Sequence, residues 1–183
     1  GITGIVKGLV EDEVFGKLRR VRHEFGTATQ ISSGGSFAKN LALAGGGQLF
    51  ESAIHNIDAI CYIANVSHAR VLDKNMEHEH GFDLHTEALI ELQSEGKHPV
   101  EFELLVTCFK STGYEIEMTF DNAVLTFSLF RDMPPQIKSV NGKRSYKILD
   151  AFANDFPRQQ YDVMNVFWSD FLRAVDERKA NYT

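Results

Sequence analysis

The clearest signal in the chain is a change of period. Between Leu49 and Ala64 apolar residues recur at steps of three and four: Leu49, Phe50, Ala53, Ile54, Ile57, Ile60, Cys61 and Ala64. That spacing predicts a helix with one broad apolar face. Beyond it the period drops to two. "DLHTEALIEL" (Asp83 to Leu92), "VEFELLVTCF" (Val100 to Phe109) and "YEIEMTF" (Tyr114 to Phe120) each alternate apolar with polar, and "SEGKHP", "KSTG" and "FDNA" punctuate them. This predicts a meander of antiparallel strands with one face on a core and the other wetter. Residues 17–25 alternate as a further strand, and "GTATQISSGGSFAKN" (Gly26 to Asn40) is a Gly/Ser-rich loop. Pro134–Pro135 and Asn141–Gly142 mark a loop with a hairpin signal, and Val163, Val166, Phe167, Phe171, Leu172 and Val175 form a second helical stripe. No repeat or linker divides the chain, so one domain over 1–183 is expected. Its class is α+β: a large, mostly antiparallel open sheet backed by helices on one face.

Composition narrows the function. With 183 residues, 43% hydrophobic, 24% charged and a net charge of -6, the chain is a globular domain able to bury a core. Its acidic balance excludes a dedicated nucleic-acid binder, which needs clustered Lys and Arg; "KLRRVRHEF" (Lys17 to Phe25) reads as the solvated face of a strand. No apolar run approaches the roughly 20 residues of a membrane span, and no secretory leader pattern is present. Cys61 and Cys108 lack metal-ligand spacing and read as buried free thiols of a cytoplasmic protein. Opening on Gly1 rather than Met suggests a piece of something longer.

The chemistry concentrates in "GGGQLFESAIHNID" (Gly45 to Asp58). On a wheel at about 100° per residue, Glu51, His55, Asp58 and Tyr62 fall within about 60° beside the apolar arc. The glycines permit close approach to the backbone, and the helix N-terminus suits a polar or anionic ligand. His55 is suited to moving a proton, with Glu51 one turn earlier to orient it. The plainer alternative is a surface pair worth a few tenths of a kcal/mol. Neither G-x-G-x-x-G after a strand nor G-K-[ST] occurs, so no nucleotide fingerprint is visible. His78, His80, Asp83 and His85 read as a polar loop entering a strand, with an adventitious metal as the alternative. Ser32, Ser33 and Ser36 lack a G-x-S-x-G elbow, and Trp168 reads as core.

On these residues the chain resembles the glucose–fructose oxidoreductase / inositol dehydrogenase / rhizopine-catabolism (Gfo/Idh/MocA) family, whose C-terminal domain opens on a stretch close to G-G-G-x-L-x-D-x-G-x-H-x-x-D. Gly45, Gly46, Gly47, Leu49, His55 and Asp58 match, while Glu51 replaces the usual Asp and Ala53 the usual Gly. "VFGKLRRVRHEFG" and "FWSDFLRAVDERKANYT" are similar to the family's entry strand and late helix. The resemblance implies the substrate-binding and oligomerisation domain of an NAD(P)-dependent oxidoreductase acting on a sugar, cyclitol or derivative. It further implies His55 and Glu51 as catalytic residues, with Gly46, Gly47 and Asp58 binding substrate. NAD or NADP is then bound by an N-terminal Rossmann domain, with its E-K-P lysine, that this chain lacks; alone, the chain is expected to be inactive and to hold no cofactor or metal. A homo-oligomer through the sheet face, where Leu105 and Phe109 point outward, is implied as well. "SSGGS" and the Pro134–Pro135 loop are candidate borders of the pocket. The competing reading is a non-catalytic sugar-binding or oligomerisation module of the same fold.

Overall fold

The computed structural model describes residues 2–28, 40–129, 135–140 and 145–147, apart from the side chains of 41, 52 and 145–147. These belong to the unit Gly1–Ile148. The second unit, Leu149–Thr183, lies outside the described residues, and with it the expected late helix and Trp168. So do the loop of Ser32, Ser33 and Ser36, the residue Pro134 and the Asn141–Gly142 signal.

The alternating runs build an eight-stranded sheet. Its strands are β1 (Leu18–Gly26), β2 (His68–Glu79), β3 (Phe82–Gln93), β4 (Val100–Thr107), β5 (Glu115–Phe120), β6 (Ala123–Ser128), β7 (Gln136–Ser139) and β8 (Ser145–Lys147). The spatial order is β2-β3-β4-β1-β5-β6-β7-β8. Neighbours pair antiparallel except β1 and β4, which run parallel with Val21 opposite Phe102. A parallel pair needs a long crossover, and the chain supplies one: helices and the β2–β3 hairpin intervene between β1 and β4. The sheet is mostly antiparallel, as the alternation predicts.

Register turns the alternation into a core. One row runs Ile90, Phe102, Val21, Met118, Leu125 and Ile137 across six strands. All but Ile90 are buried. Each such side chain contributes about 1.5–3 kcal/mol by leaving water. Helices α1 (Ile2–Glu11) and α3 (Ile54–Ala64) pack on each other, and their Val6, Val10, Ile60, Ile63 and Ala64 join the same cluster. The other face is wet: Arg20 pairs with Glu101 at 3.4 Å and with Glu103, and Arg22 with Glu24 at 2.6 Å. Exposed pairs of this kind contribute little each.

Three features depart from the pattern. Helix α1 and strand β2 were not signalled. Residues of β2 are exposed on both faces apart from Met76, which is half-buried, so the strand has no alternation to read. The expected polar loop "NMEHEHGFDLH" is instead the end of β2, a two-residue turn and the start of β3. That turn is His80–Gly81, both at positive φ (51° and 86°), the backbone that tight hairpins need. Cys61 and Cys108 are half-buried free thiols, less enclosed than expected; partial burial still pushes both thiols up from their ordinary value.

Candidate functional site

The glycine triplet sits between two helical pieces. Asn40 caps α2 (Leu41–Ala44), its Oδ1 accepting from the Ala42 amide at 3.0 Å. Gly45 then adopts φ +78°, a left-handed turn that suits glycine. The helix resumes not as α but as a five-residue π turn, Leu49–Ala53, which runs directly into α3. Such turns insert a residue into the helical repeat and recur at functional positions.

The buried face of the helix is not the whole apolar arc. Ala53, Asn56, Ile60, Ile63 and Ala64 face the core, whereas Phe50 and Ile54, expected on the apolar face, are exposed. Cys61 is half-buried. The outward stripe is therefore Phe50, Glu51, Ile54, His55, Asp58 and Tyr62. Glu51, His55 and Asp58 do share one exposed face, as their spacing predicts. Their side chains make no hydrogen bond or ion pair among the described residues, so Glu51 and His55 are neighbours without a fixed contact. The C-terminal end is secured by Asn65, whose left-handed backbone lets its amide reach the Cys61 and Tyr62 carbonyls. Lys7 of α1 adds its Nζ to the Tyr62 carbonyl at 2.9 Å, lies 4.5 Å over the Tyr62 ring and pairs with Glu11.

The N-terminal end is held by a residue from the sheet. Asp83, at the start of β3 and 8% exposed, accepts from the Gly47 amide at 3.0 Å and from the Leu49 amide at 2.7 Å. This is an N-cap supplied from 34 and 36 residues away, satisfying two amides that a helix start leaves open. It also explains Gly47: a Cβ there would stand 2.5 Å from the Asp83 backbone nitrogen and 2.6 Å from its carbonyl oxygen. Gly46 is crowded by the Phe50 side chain, whose Cβ lies 2.7 Å from where a Cβ of Gly46 would be. What the glycines admit is the protein's own strand and ring.

Of the second cluster, only Asp83 reaches the site. His78 and His80 are exposed on the hairpin, and His85 stacks on Phe109 at 5.8 Å. Among the described residues no three His, Cys, Asp or Glu side chains converge as a metal set. The pattern gave no warning of two further polar residues. Asn56 is fully buried with neither side-chain atom bonded among the described residues. His23 is fully buried in β1, its Nδ1–H donating to the Glu115 carbonyl at 2.9 Å; burial pushes its pKa below the ordinary value. A cavity of about 290 Å³ lies at the far end of α3, lined by Val10, Lys17, Ala64, Ser94, Lys97 and Val100, and excludes the stripe.

No family model matches the chain, and no curated protein does. Solved structures do. The chain is similar to an aldose-aldose oxidoreductase from Caulobacter crescentus complexed with glycerol, at 15% identity and a TM-score of 0.65 over 88% of this chain and 47% of that one. A levoglucosan dehydrogenase in complex with NADH and levoglucosan aligns at 16% identity and TM-score 0.68, covering 94% and 53%. An inositol dehydrogenase homologue complexed with NAD+ from Azotobacter vinelandii aligns at 14% and 0.64, covering 79% and 40%. The chain thus spans about half the length of the structures it matches. Its architecture is that of the Gfo/Idh/MocA C-terminal domain: a mostly antiparallel sheet with helices on one face.

Proposed function

We propose that this chain is the substrate-binding and oligomerisation domain of an NAD(P)-dependent oxidoreductase acting on a sugar, cyclitol or sugar derivative. The observation that carries the reading is the exposed Glu51–His55–Asp58 stripe, on a helix entered through three glycines, in a fold shared with sugar oxidoreductases. His55 exchanges the proton of the reacting hydroxyl, a role that suits an imidazole near neutral pH. Glu51 and Asp58 accept hydrogen bonds from neighbouring hydroxyls, and Glu51 steadies the protonated imidazole. Of the two glycines expected to bind substrate, Gly46 is half-buried beside Phe50 and can border it, whereas Gly47 is buried with its amide engaged by Asp83 and acts only by letting strand and helix meet.

The described residues do not fit a nicotinamide dinucleotide. The helix start that would receive its pyrophosphate is filled by a carboxylate, and no glycine fingerprint is present. The cofactor belongs, in this proposal, to a Rossmann domain outside the chain. Among the described residues no helix is long and apolar enough to cross a membrane.

The test is turnover of a polyol panel with NAD and NADP, followed by nicotinamide absorbance, in a protein carrying the cofactor domain ahead of Gly1. His55→Ala should keep the fold and lose about 10²–10⁴ in kcat; an unchanged kcat removes His55 from the chemistry. The 183-residue chain alone should show no turnover. The non-catalytic module is the competing reading, favoured by the lack of a Glu51–His55 contact among the described residues. Polyol binding without turnover in the two-domain protein would establish it.

A further inference from the structure

The cavity at the far end of α3 takes no part in the proposed chemistry, and its lining differs from the Glu51–His55–Asp58 stripe. It holds about 290 Å³, the small end of the roughly 300–1,000 Å³ of ligand pockets. Its floor is apolar and buried: Val10 of α1, Leu18 of β1, Ala64 of α3 and Val100 of β4. Its rim carries exposed charges of both signs, Glu13 against Lys17 and Lys97. Hydrogen-bonded backbone sets them there. The Lys97 amide closes a tight turn onto the Ser94 carbonyl at 3.1 Å, with Gly96 at φ +70°. Glu13 holds φ +48° just past α1, its amide on the Val10 carbonyl at 3.3 Å and its carbonyl receiving the Gly16 amide at 2.8 Å. Ser94 Oγ donates to the Ala64 carbonyl at 2.7 Å, which ties that turn to the end of α3.

The rim charges are left to the cavity. The Glu13 and Lys97 side chains make no ion pair or hydrogen bond among the described residues. Lys17 also lacks an ion pair there: the nearby Asp121 carboxylate, which senses the Lys17 charge, is held by the Arg19 guanidinium at 2.7 Å and the Lys17 amide at 2.8 Å. Opposite charges over one apolar floor, each short of a partner, fit a ligand with both signs of charge and an apolar body. A carboxylate pairs with the lysines. An ammonium pairs with Glu13 and gains from α1 and α3, whose C-terminal, negative dipole ends reach the cavity through Val10 and Ala64. Those helix ends work against a bare anion.

We propose that this cavity binds a small free α-amino acid with an apolar side chain. Lys97, aided by Lys17, takes the carboxylate, Glu13 takes the ammonium, and the buried floor takes the side chain. The site stands apart from His55 by about 14 Å of helix and does not depend on the oxidoreductase reading.

The test is calorimetry on the 183-residue chain with leucine as the probe. Isocaproate, which is leucine without its ammonium, and isoamylamine, without its carboxylate, each forfeit one charged pair and should bind about tenfold or more weakly than leucine. Glycine keeps both charges and should lose at least as much with the apolar contacts. Leucine should also shift the amide resonances of Ser94, Gly96 and Lys97. Lys97→Gln and Glu13→Gln, both at exposed positions, should keep the circular dichroism of wild type and each weaken leucine about tenfold. Should Glu13→Gln fail to fold, Glu13→Gly removes the same carboxylate and relieves the backbone. Absence of leucine binding, isocaproate or isoamylamine binding as tightly as leucine, or unchanged leucine affinity in either variant overturns the proposal. None of these measurements uses turnover, so each outcome leaves the oxidoreductase reading where it stands.

Discussion

His23 and His55 lie in one small domain in opposite surroundings. His55 is exposed, whereas His23 is fully enclosed, with Nδ1–H on the Glu115 carbonyl and no partner for Nε2 among the described residues. Burial is the main cause of its depressed pKa, outweighing the raising effects of that hydrogen bond and of Glu24. A base depressed in the folded state is protonated first in the unfolded chain. The unfolded state therefore binds more protons, and stability falls as pH drops below about 6.5. Above that value the contribution is complete. His23→Gln, which keeps a hydrogen-bonding side chain without a titrating one, should lose less stability than wild type between pH 7.5 and pH 5, as read by urea midpoints. Equal losses in the two proteins would sink this account. A second residue-scale cost sits at Glu13, which holds φ +48° just beyond α1. Glycine adopts that backbone without a Cβ clash. Glu13→Gly should thus raise stability by about 1 kcal/mol, a gain of about 2–4 °C in Tm for a chain of this size; a lower Tm would contradict it.

At the scale of elements, what was legible followed from burial. Strands β3, β4 and β5 have one face on the core, so Val100, Phe102, Leu104 and Val106 announce themselves by alternation. Strand β2 gains its place from pairing with β3 alone and leaves no trace in the pattern. Helix 49–64 was legible as a helix and misread in phase. The buried face of α3 runs through Asn56, Ile60 and Ile63, so polar Asn56 lies inward while apolar Phe50 and Ile54 lie outward, a placement that residue type does not encode. The stripe of Glu51, His55 and Asp58 lies exposed, across the helix from that buried face. Asp83 was visible as a polar residue, but its cap depends on a contact across 34 residues that no local spacing encodes. That contact makes the glycine triplet unequal. Gly47→Ala should destabilise the fold by about 1–3 kcal/mol, the usual cost of overpacking, since its Cβ meets backbone that cannot swing aside. Gly4→Ala, where a Cβ meets nothing within 4 Å in mid-helix, is the control, and should gain up to about 1 kcal/mol from helix propensity. Similar midpoints for the two variants would show that the Asp83 strand yields.

For the whole molecule the open question is what meets the sheet face on which none of the described helices packs. Antiparallel sheets tolerate one wet face, and this one carries Arg20, Arg22, Glu101, Glu103 and Glu117 in partly paired rows. Within those rows sit two half-buried leucines, Leu89 and Leu105; Leu105 is flanked across the strands by Glu24 and Glu87. Phe109, just past β4, is 55% exposed. An apolar centre inside a charged rim is how interfaces between subunits are commonly arranged, and closed symmetry would bring the same face of a second copy against it. We propose that copies of the chain associate through this face. Leu105→Glu would set a third carboxylate between Glu24 and Glu87 while leaving the core face untouched, so the monomer should keep its circular dichroism. Its self-association, by sedimentation equilibrium, should weaken roughly tenfold or more, the scale of a rim of like charges brought together. Arg22→Glu, which changes the charged rim and leaves both leucines in place, should weaken association less and in a salt-dependent way. A wild-type chain that stays monomeric at high concentration would remove the proposal, and association undiminished in Leu105→Glu would place the contact elsewhere on the molecule.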